Sequence, residues 1–277
     1  MSQVQASSET QKLKVVTSFS ILADLLQQIG GDHVSIVNLV ESNSDAHMYR
    51  PLPSDAVAIR NADLVVFNGL GFEGWILRLL ENDQVAGMRL VASNGVDAIR
   101  QDGETDPHAW QSFRNIRIYV NNIGDALVML LPEHADDLMA RREAYLQQVR
   151  TLEDQLLAKL SEVPTNDRVV VTSHDAFGYL GRELDIEFLA PLGLSLDSEA
   201  SAEDVAELID QIRARNVTAL FVENINNPRL LNSIAEETGV AIGGSLYSDA
   251  LSESAGPAAT YLDMMRFNIE SLIKALK

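Results

Sequence analysis

The stretch PEHADDLMARREAYLQQVRTLEDQLLAKLSEV, residues 132–163, decides how the rest of the chain is divided. It opens with Pro132 and Glu133, both suited to a helix first turn, where proline has no N–H to lose and a negative charge meets the positive end of the dipole. Leu138, Tyr145, Val149, Leu152, Leu156 and Leu160 follow at steps of three, four or seven residues, which is the period of a helix and not of a strand. Only Arg142 interrupts the stripe, and no glycine or proline occurs after Pro132 until Pro164 closes the run. At 1.5 Å per residue such a rod is about 45 Å long, well beyond the three or four turns of an ordinary globular helix. The simple alternative is one core helix inside a single large domain. The sequence on both sides alternates strand-like and helix-like patterns, so the spacing predicts a spine joining two halves: residues 12–131, the linking helix 132–164, and residues 165–277.

In the first half, buried strands are expected at 14–18, 34–40, 63–68 and 89–92. Helices are expected at 19–29, at 55–62 behind an N-cap at Ser54, from Trp75 onward, and at 112–131. The glycine-rich turn at 68–74 (NGLGFEG) follows a strand and precedes a helix. It lacks the G-x-G-x-x-G spacing and a Walker lysine, so it reads as a tight turn and not a nucleotide loop. Residues 101–105 (QDGET) read as a short exposed loop. In the second half, strands are expected at 168–173, 186–190, 218–223 and 240–246. Helices fall at 176–184, 201–215, from Pro228 to Gly239, and at 258–276. The fold class is therefore α/β, with two lobes of mostly parallel sheet joined by one long spine helix.

Composition narrows the function. Of 277 residues, 46% are hydrophobic and 22% charged, an ordinary globular balance. The net charge of −19 repels phosphate backbones, so no nucleic-acid partner is expected, whereas cations are drawn toward such a surface. There is no cysteine, which excludes disulfides, thiolate metal sites and a cysteine nucleophile, and argues against a lipid-anchored mature N-terminus. No apolar run approaches the roughly 20 residues of a membrane span. Residues 1–11 are polar, read as disordered, and do not resemble a secretory signal. Either the protein is cytosolic or the signal is missing from this sequence and Met1 is an added start.

Five histidines remain to be placed. His33 and His134 read as solvated surface residues. His47, His108 and His174 each follow a strand or sit in a proline-constrained loop, and Asp249 lies just past the last strand. Those are the strand ends at which open α/β sheets bind ligands. Three imidazoles and one carboxylate, split two and two between the halves, meet zinc's demand for four tetrahedral ligands. Calcium and magnesium want more oxygens, manganese more carboxylates, and copper or nickel accept nitrogen sites as readily. A zinc hydrolase would instead need an open metal position and a base such as Glu223, but no H-E-x-x-H motif accompanies it. A receptor for a small organic solute, or an adhesin, is compatible with the lobes alone.

Six segments, in order, carry a resemblance: KVVTSFSILAD (14–24), AHMYRPLPSD (46–55), DLVVFNG (63–69), DPHAW (106–110), SHDAFGY (173–179) and SLYSD (245–249). Together they resemble the solute-binding receptors of bacterial zinc and manganese ABC transporters. The resemblance implies a metal site in the cleft between two lobes, with His47, His108, His174 and Asp249 as ligands. It implies Zn2+ as the cargo, because manganese receptors usually carry glutamate where this chain has His174. It further implies a periplasmic, monomeric protein that is not an enzyme. Its expected partners are a membrane permease of a zinc ABC transporter and a periplasmic metallochaperone. Two departures stand out. Zinc receptors often carry a His- and Asp-rich insertion before the Asp-Pro-His motif, where this chain has only residues 101–105. The first loop also reads Asp45-Ala46-His47 in place of the commoner Asp-Pro-His. A continuous spine helix further predicts only a small rigid-body change on metal binding, with local rearrangement around His47 and His108.

Overall fold

The computed structural model describes residues 12–277 apart from 83–84, 102, 166–167, 196–199 and 216; the expectation for residues 1–11 and part of the 191–198 loop lie outside the described residues. Two four-stranded sheets, each wholly parallel, form the two lobes. The first contains β1 (Leu13–Phe19), β2 (Val34–Val40), β3 (Leu64–Phe67) and β4 (Met88–Val91) in the order β2-β1-β3-β4. A two-residue hairpin follows, β5 (Arg100–Gln101) and β6 (Glu104–Thr105). The second sheet contains β7 (Val169–Val171), β8 (Glu187–Leu189), β9 (Ala219–Glu223) and β10 (Ile242–Leu246) in the order β10-β9-β7-β8. The chain reverses its direction of winding between β1 and β3 in one sheet and between β7 and β9 in the other. Crevices that hold ligands open at such switch points, beyond the carboxyl ends of the strands.

The helices are α1 (Ser20–Gly30), α2 (Pro53–Arg60), α3 (Gly74–Asn82), α4 (Phe113–Leu130), α5 (Ala135–Leu160), α6 (Gly178–Leu184), α7 (Ala202–Arg215), α8 (Arg229–Thr238) and α9 (Tyr261–Ala275). The spine is α5, preceded by a single 3₁₀ turn at Pro132–His134. Its 26 residues span about 39 Å. The predicted stripe is buried, joined by Leu146. Arg142 interrupts that stripe without loss. Its aliphatic stem lies against Gly124 of α4, where an added Cβ would sit 2.5 Å from Arg142 Cδ, and its guanidinium reaches Asp125 at 2.5 Å.

α5 packs on α1 and α4 of the first lobe and on α9 of the second. One apolar core therefore runs from Val16, Leu25 and Tyr119 through Val149 and Leu156 to Phe221, Tyr261 and Met265. A second, smaller cluster fills the far face of the second sheet: Val171, Leu208, Ile212, Val217, Leu220, Leu231 and Ile234.

Three local expectations need correction. Ser54 does not cap α2: the helix starts at Pro53, with Leu52 at the cap, whose N–H donates to Asp55 Oδ2 at 2.6 Å. Residues 101–105, expected as a short loop, are exposed at Gln101, Gly103 and Glu104 but belong to a hairpin, with Gly103 at φ +87° between β5 and β6. His33 and His134 are not simply solvated. Their rings stack with centroids 4.1 Å apart, and His33 Nε2 lies 2.9 Å from Asp137 Oδ2.

Candidate metal centre

Each candidate side chain stands on a loop that leaves a strand end. His174 follows β7, directly at the second switch point. Asp249 lies three residues past β10. His47 sits in the loop after β2, which Trp75 holds by donating its indole N–H to the Ala46 carbonyl at 2.8 Å. His108 follows the Asp106-Pro107 turn, and the Pro107 carbonyl accepts from Asn68 Nδ2 at 2.9 Å.

The four side chains meet. His47, His108, His174 and Asp249 each offer a donor atom, all within 4.8 Å of one another. His47 Nε2 lies 3.2 Å from His108 Nε2 and 3.4 Å from Asp249 Oδ2. His174 Nε2 lies 3.4 Å from Asp249 Oδ2, and His108 Nε2 lies 3.6 Å from Asp249 Oδ1. Bonds of 2.0–2.1 Å arranged tetrahedrally would separate the donors by about 3.3–3.4 Å. The separations therefore fit a small divalent ion held in common. His174 Nε2 and both Asp249 oxygens are buried without a hydrogen-bond partner among the described residues. A buried carboxylate in that state is costly unless a cation shares its site.

Carboxylates behind the rings fix which nitrogen faces inward. Asp106 Oδ1 lies 2.8 Å from His108 Nδ1 and also accepts the His108 backbone N–H at 2.9 Å. Glu223 Oε2 lies 2.6 Å from His174 Nδ1, while Oε1 accepts the N–H groups of Ser173 and His174 at 2.8 and 3.0 Å. For His108 the engaged Nδ1 leaves the Nε2 lone pair facing inward; His174 Nδ1 and Glu223 Oε2 are a close ion pair outside hydrogen-bond geometry, which still turns Nε2 toward Asp249. Glu223 is thereby committed to orienting His174 and does not stand as a base facing an open metal position, the role a hydrolase would require. Asp106 and Glu223 were missing from the expected ligand environment. Their signals are the two-residue step from Asp106 to His108 across a proline, and an acid at a strand end beside a switch point.

The charges follow from this packing. Burial alone would push the His174 imidazole down, but Glu223 and Asp249 outweigh it and hold it well above the usual histidine range. Burial would raise the Asp249 carboxyl, but His174 and His108 outweigh it and keep it well below the usual carboxylate range.

The two lobes are also bonded across the cleft. Trp110 Nε1 donates to the Ser248 carbonyl at 2.9 Å, and Gln111 Nε2 to the same oxygen at 2.6 Å, so first-lobe side chains hold the Asp249 loop. In return, Tyr179 of α6 donates to the Asp106 carbonyl at 2.8 Å. Glu183 accepts from Ser112 Oγ at 2.5 Å and from the N–H groups of Phe113 and Arg114 at 2.8 and 3.0 Å, completing the first turn of α4.

Comparison with known proteins agrees with this frame. The sequence profile described as zinc-uptake complex component A, periplasmic (ZnuA) matches residues 15–275. The chain is 34% identical over 273 residues to the manganese-binding lipoprotein MntA of Halalkalibacterium halodurans, covering 98% of this chain and 90% of that one. It is 31% identical over 272 residues to the iron-binding protein YfeA of Yersinia pestis, covering 97% and 88%. Among solved structures, the periplasmic zinc-binding protein TroA of Treponema pallidum superposes with a TM-score of 0.92 at 30% identity, covering 96% of this chain and 99% of that one. The chain belongs to the ZnuA family of solute-binding proteins of metal ABC transporters.

Proposed function

We propose that this family member is a zinc receptor of the periplasmic space, which captures Zn2+ between its lobes and hands it to a membrane permease. In this reading His47 and His108 from residues 12–131, and His174 and Asp249 from residues 165–277, are the four ligands, with helix 132–164 between the two jaws. The observation that carries it is the set of donor separations, 3.2–3.6 Å, around one carboxylate and three Nε2 atoms. Three imidazoles and one carboxylate form the donor set of a closed tetrahedral zinc site. No covalent bond is made or broken: the chemistry is capture of the ion and its release at the permease, with few protons exchanged near neutral pH.

One observation favours a second cargo. Both oxygens of Asp249 face the cluster, Oδ1 toward His108 and Oδ2 toward His47 and His174. Bidentate use of that carboxylate gives five donors, which suits manganese or iron better than zinc. The names of the manganese- and iron-binding relatives point the same way. Competition titration of the stripped protein gives the affinities, and X-ray absorption of the Zn2+- and Mn2+-loaded forms separates the readings: four donors to zinc with one Asp249 oxygen, against five or more for a site built for manganese or iron. We expect 1:1 binding with zinc favoured by about 100-fold or more over manganese, in line with their places in the affinity series. Equal or reversed affinities would overturn the zinc assignment and leave the site's geometry standing.

A further inference from the structure

Three of the four converging groups are sealed: the His108, His174 and Asp249 side chains have no exposed surface. His47 is the exception, with 7% of its side chain exposed. Two surface cavities open onto its ring. One, of about 420 Å³, has aromatic walls formed by Tyr49, Phe72 and Trp75, and Arg78 also lines it. The other, of about 450 Å³, is lined by Glu104 and Thr105 of the β5–β6 hairpin, by Pro107 and by Leu194. A carboxylate lining a cavity attracts a hydrated cation, and only the second of the two carries one.

We propose that the ion reaches and leaves the cluster through the cavity between the β5–β6 hairpin and Leu194, with His47 the last ligand to close on it and the first to release it. The proposal rests on the ligand assignment above and adds its route and order. On this route Glu104 and Thr105 of the hairpin line the way to His47.

Filling a channel changes how fast an ion passes and not how tightly it is finally held. Thr105→Trp is therefore expected to slow both association and chelator-driven dissociation of Zn2+, measured by stopped flow, by about tenfold, with the equilibrium affinity unchanged. Gly74→Phe fills the aromatic cavity instead, since an added Cβ there meets nothing within 4 Å, and should leave both rates at wild-type values. Glu104→Lys should lower the association rate by about three- to tenfold at low ionic strength, an effect that fades at high salt. Unchanged rates in Thr105→Trp, or slowing in Gly74→Phe, would overturn the route. If Thr105→Trp does not fold, an unchanged low-salt association rate in Glu104→Lys overturns it. A wild-type protein showing no saturable metal binding would instead refute the ligand assignment itself, an outcome separate from a wild type that binds and a filled channel that exchanges freely.

Discussion

The two faces of the second sheet are built for different purposes. Its inner face, with Val170 and Phe221, joins the core that continues through α5 into the first lobe. Its outer face, with Val171 and Leu220, closes under α7 and α8 as a separate cluster of seven buried residues. Leu220 and Phe221 are neighbours on β9 and occupy opposite sides of the strand. The inner face thus transmits the position of one lobe to the other, while the outer face supports only the sheet itself. With lobes that share a core and are also bonded across the cleft, wide hinge opening would break apolar packing.

The largest expected effect tests that division directly. Phe221→Ala should cost about 3–5 kcal/mol in chemical denaturation and Leu220→Ala about 2–5 kcal/mol. Only the inner substitution should also weaken metal affinity, by at least tenfold. An equal loss of affinity in both would mean that the outer cluster also governs the site.

Next in size are the carboxylates behind the rings. Glu223, at the end of the same strand, and Asp106 orient His174 and His108. Glu223→Gln and Asp106→Asn should each weaken zinc binding by about 10- to 100-fold while leaving one ion per chain. Affinities unchanged in a competition titration would show that the rings are held by packing alone.

The smallest effect contrasts two acids. Glu73 is buried in the first lobe and accepts from Ser18 Oγ at 2.6 Å, from the Asn68 N–H at 2.6 Å and from the Gly69 N–H at 3.1 Å. Burial outweighs these bonds and pushes its carboxyl up to about 7. Asp204 on outer helix α7 is held below the usual range by Ser201, whose Oγ–H and N–H both donate to it. A folded value raised above the unfolded one favours the native state at low pH, a gain lost as pH rises through about 7. Glu73→Gln should therefore flatten the fall in stability between pH 5 and pH 8, read from denaturation midpoints. Asp204→Asn should leave that slope unchanged, because Asp204 titrates below the window. A wild-type slope in Glu73→Gln would show that the carboxyl is not the titrating group.

Much of this was legible in the chain because strand and helix periods are local properties. The α5 stripe, the alternation of β and α elements, and the placing of His47, His174 and Asp249 at strand ends could all be read from spacing, whereas His108 read only as a histidine in a proline-constrained loop and the four were joined as one ligand set by the family resemblance. Contacts that depend on distant partners could not. Nothing near Arg142 signals that Gly124 makes room for its stem. The stacking of His33 on His134 joins residues 101 positions apart. Ser54 looks like a cap in isolation, but Pro53 already lies in the helix and Asp55 does the capping. Glu223 reads as an available base until Ser173, His174 N–H and His174 Nδ1 are seen to occupy it.

The carboxylate of Glu183 has a consequence for the order of assembly. It completes the first turn of α4 from some 70 residues further along the chain. Trp110 and Gln111 likewise wait for the carbonyl of Ser248. While the chain is still being made, its leading half therefore has open helix N–H groups and unsatisfied indole and amide donors. Those donors are completed only once Glu183 and Ser248 have been added, so the first lobe closes against the second and not ahead of it.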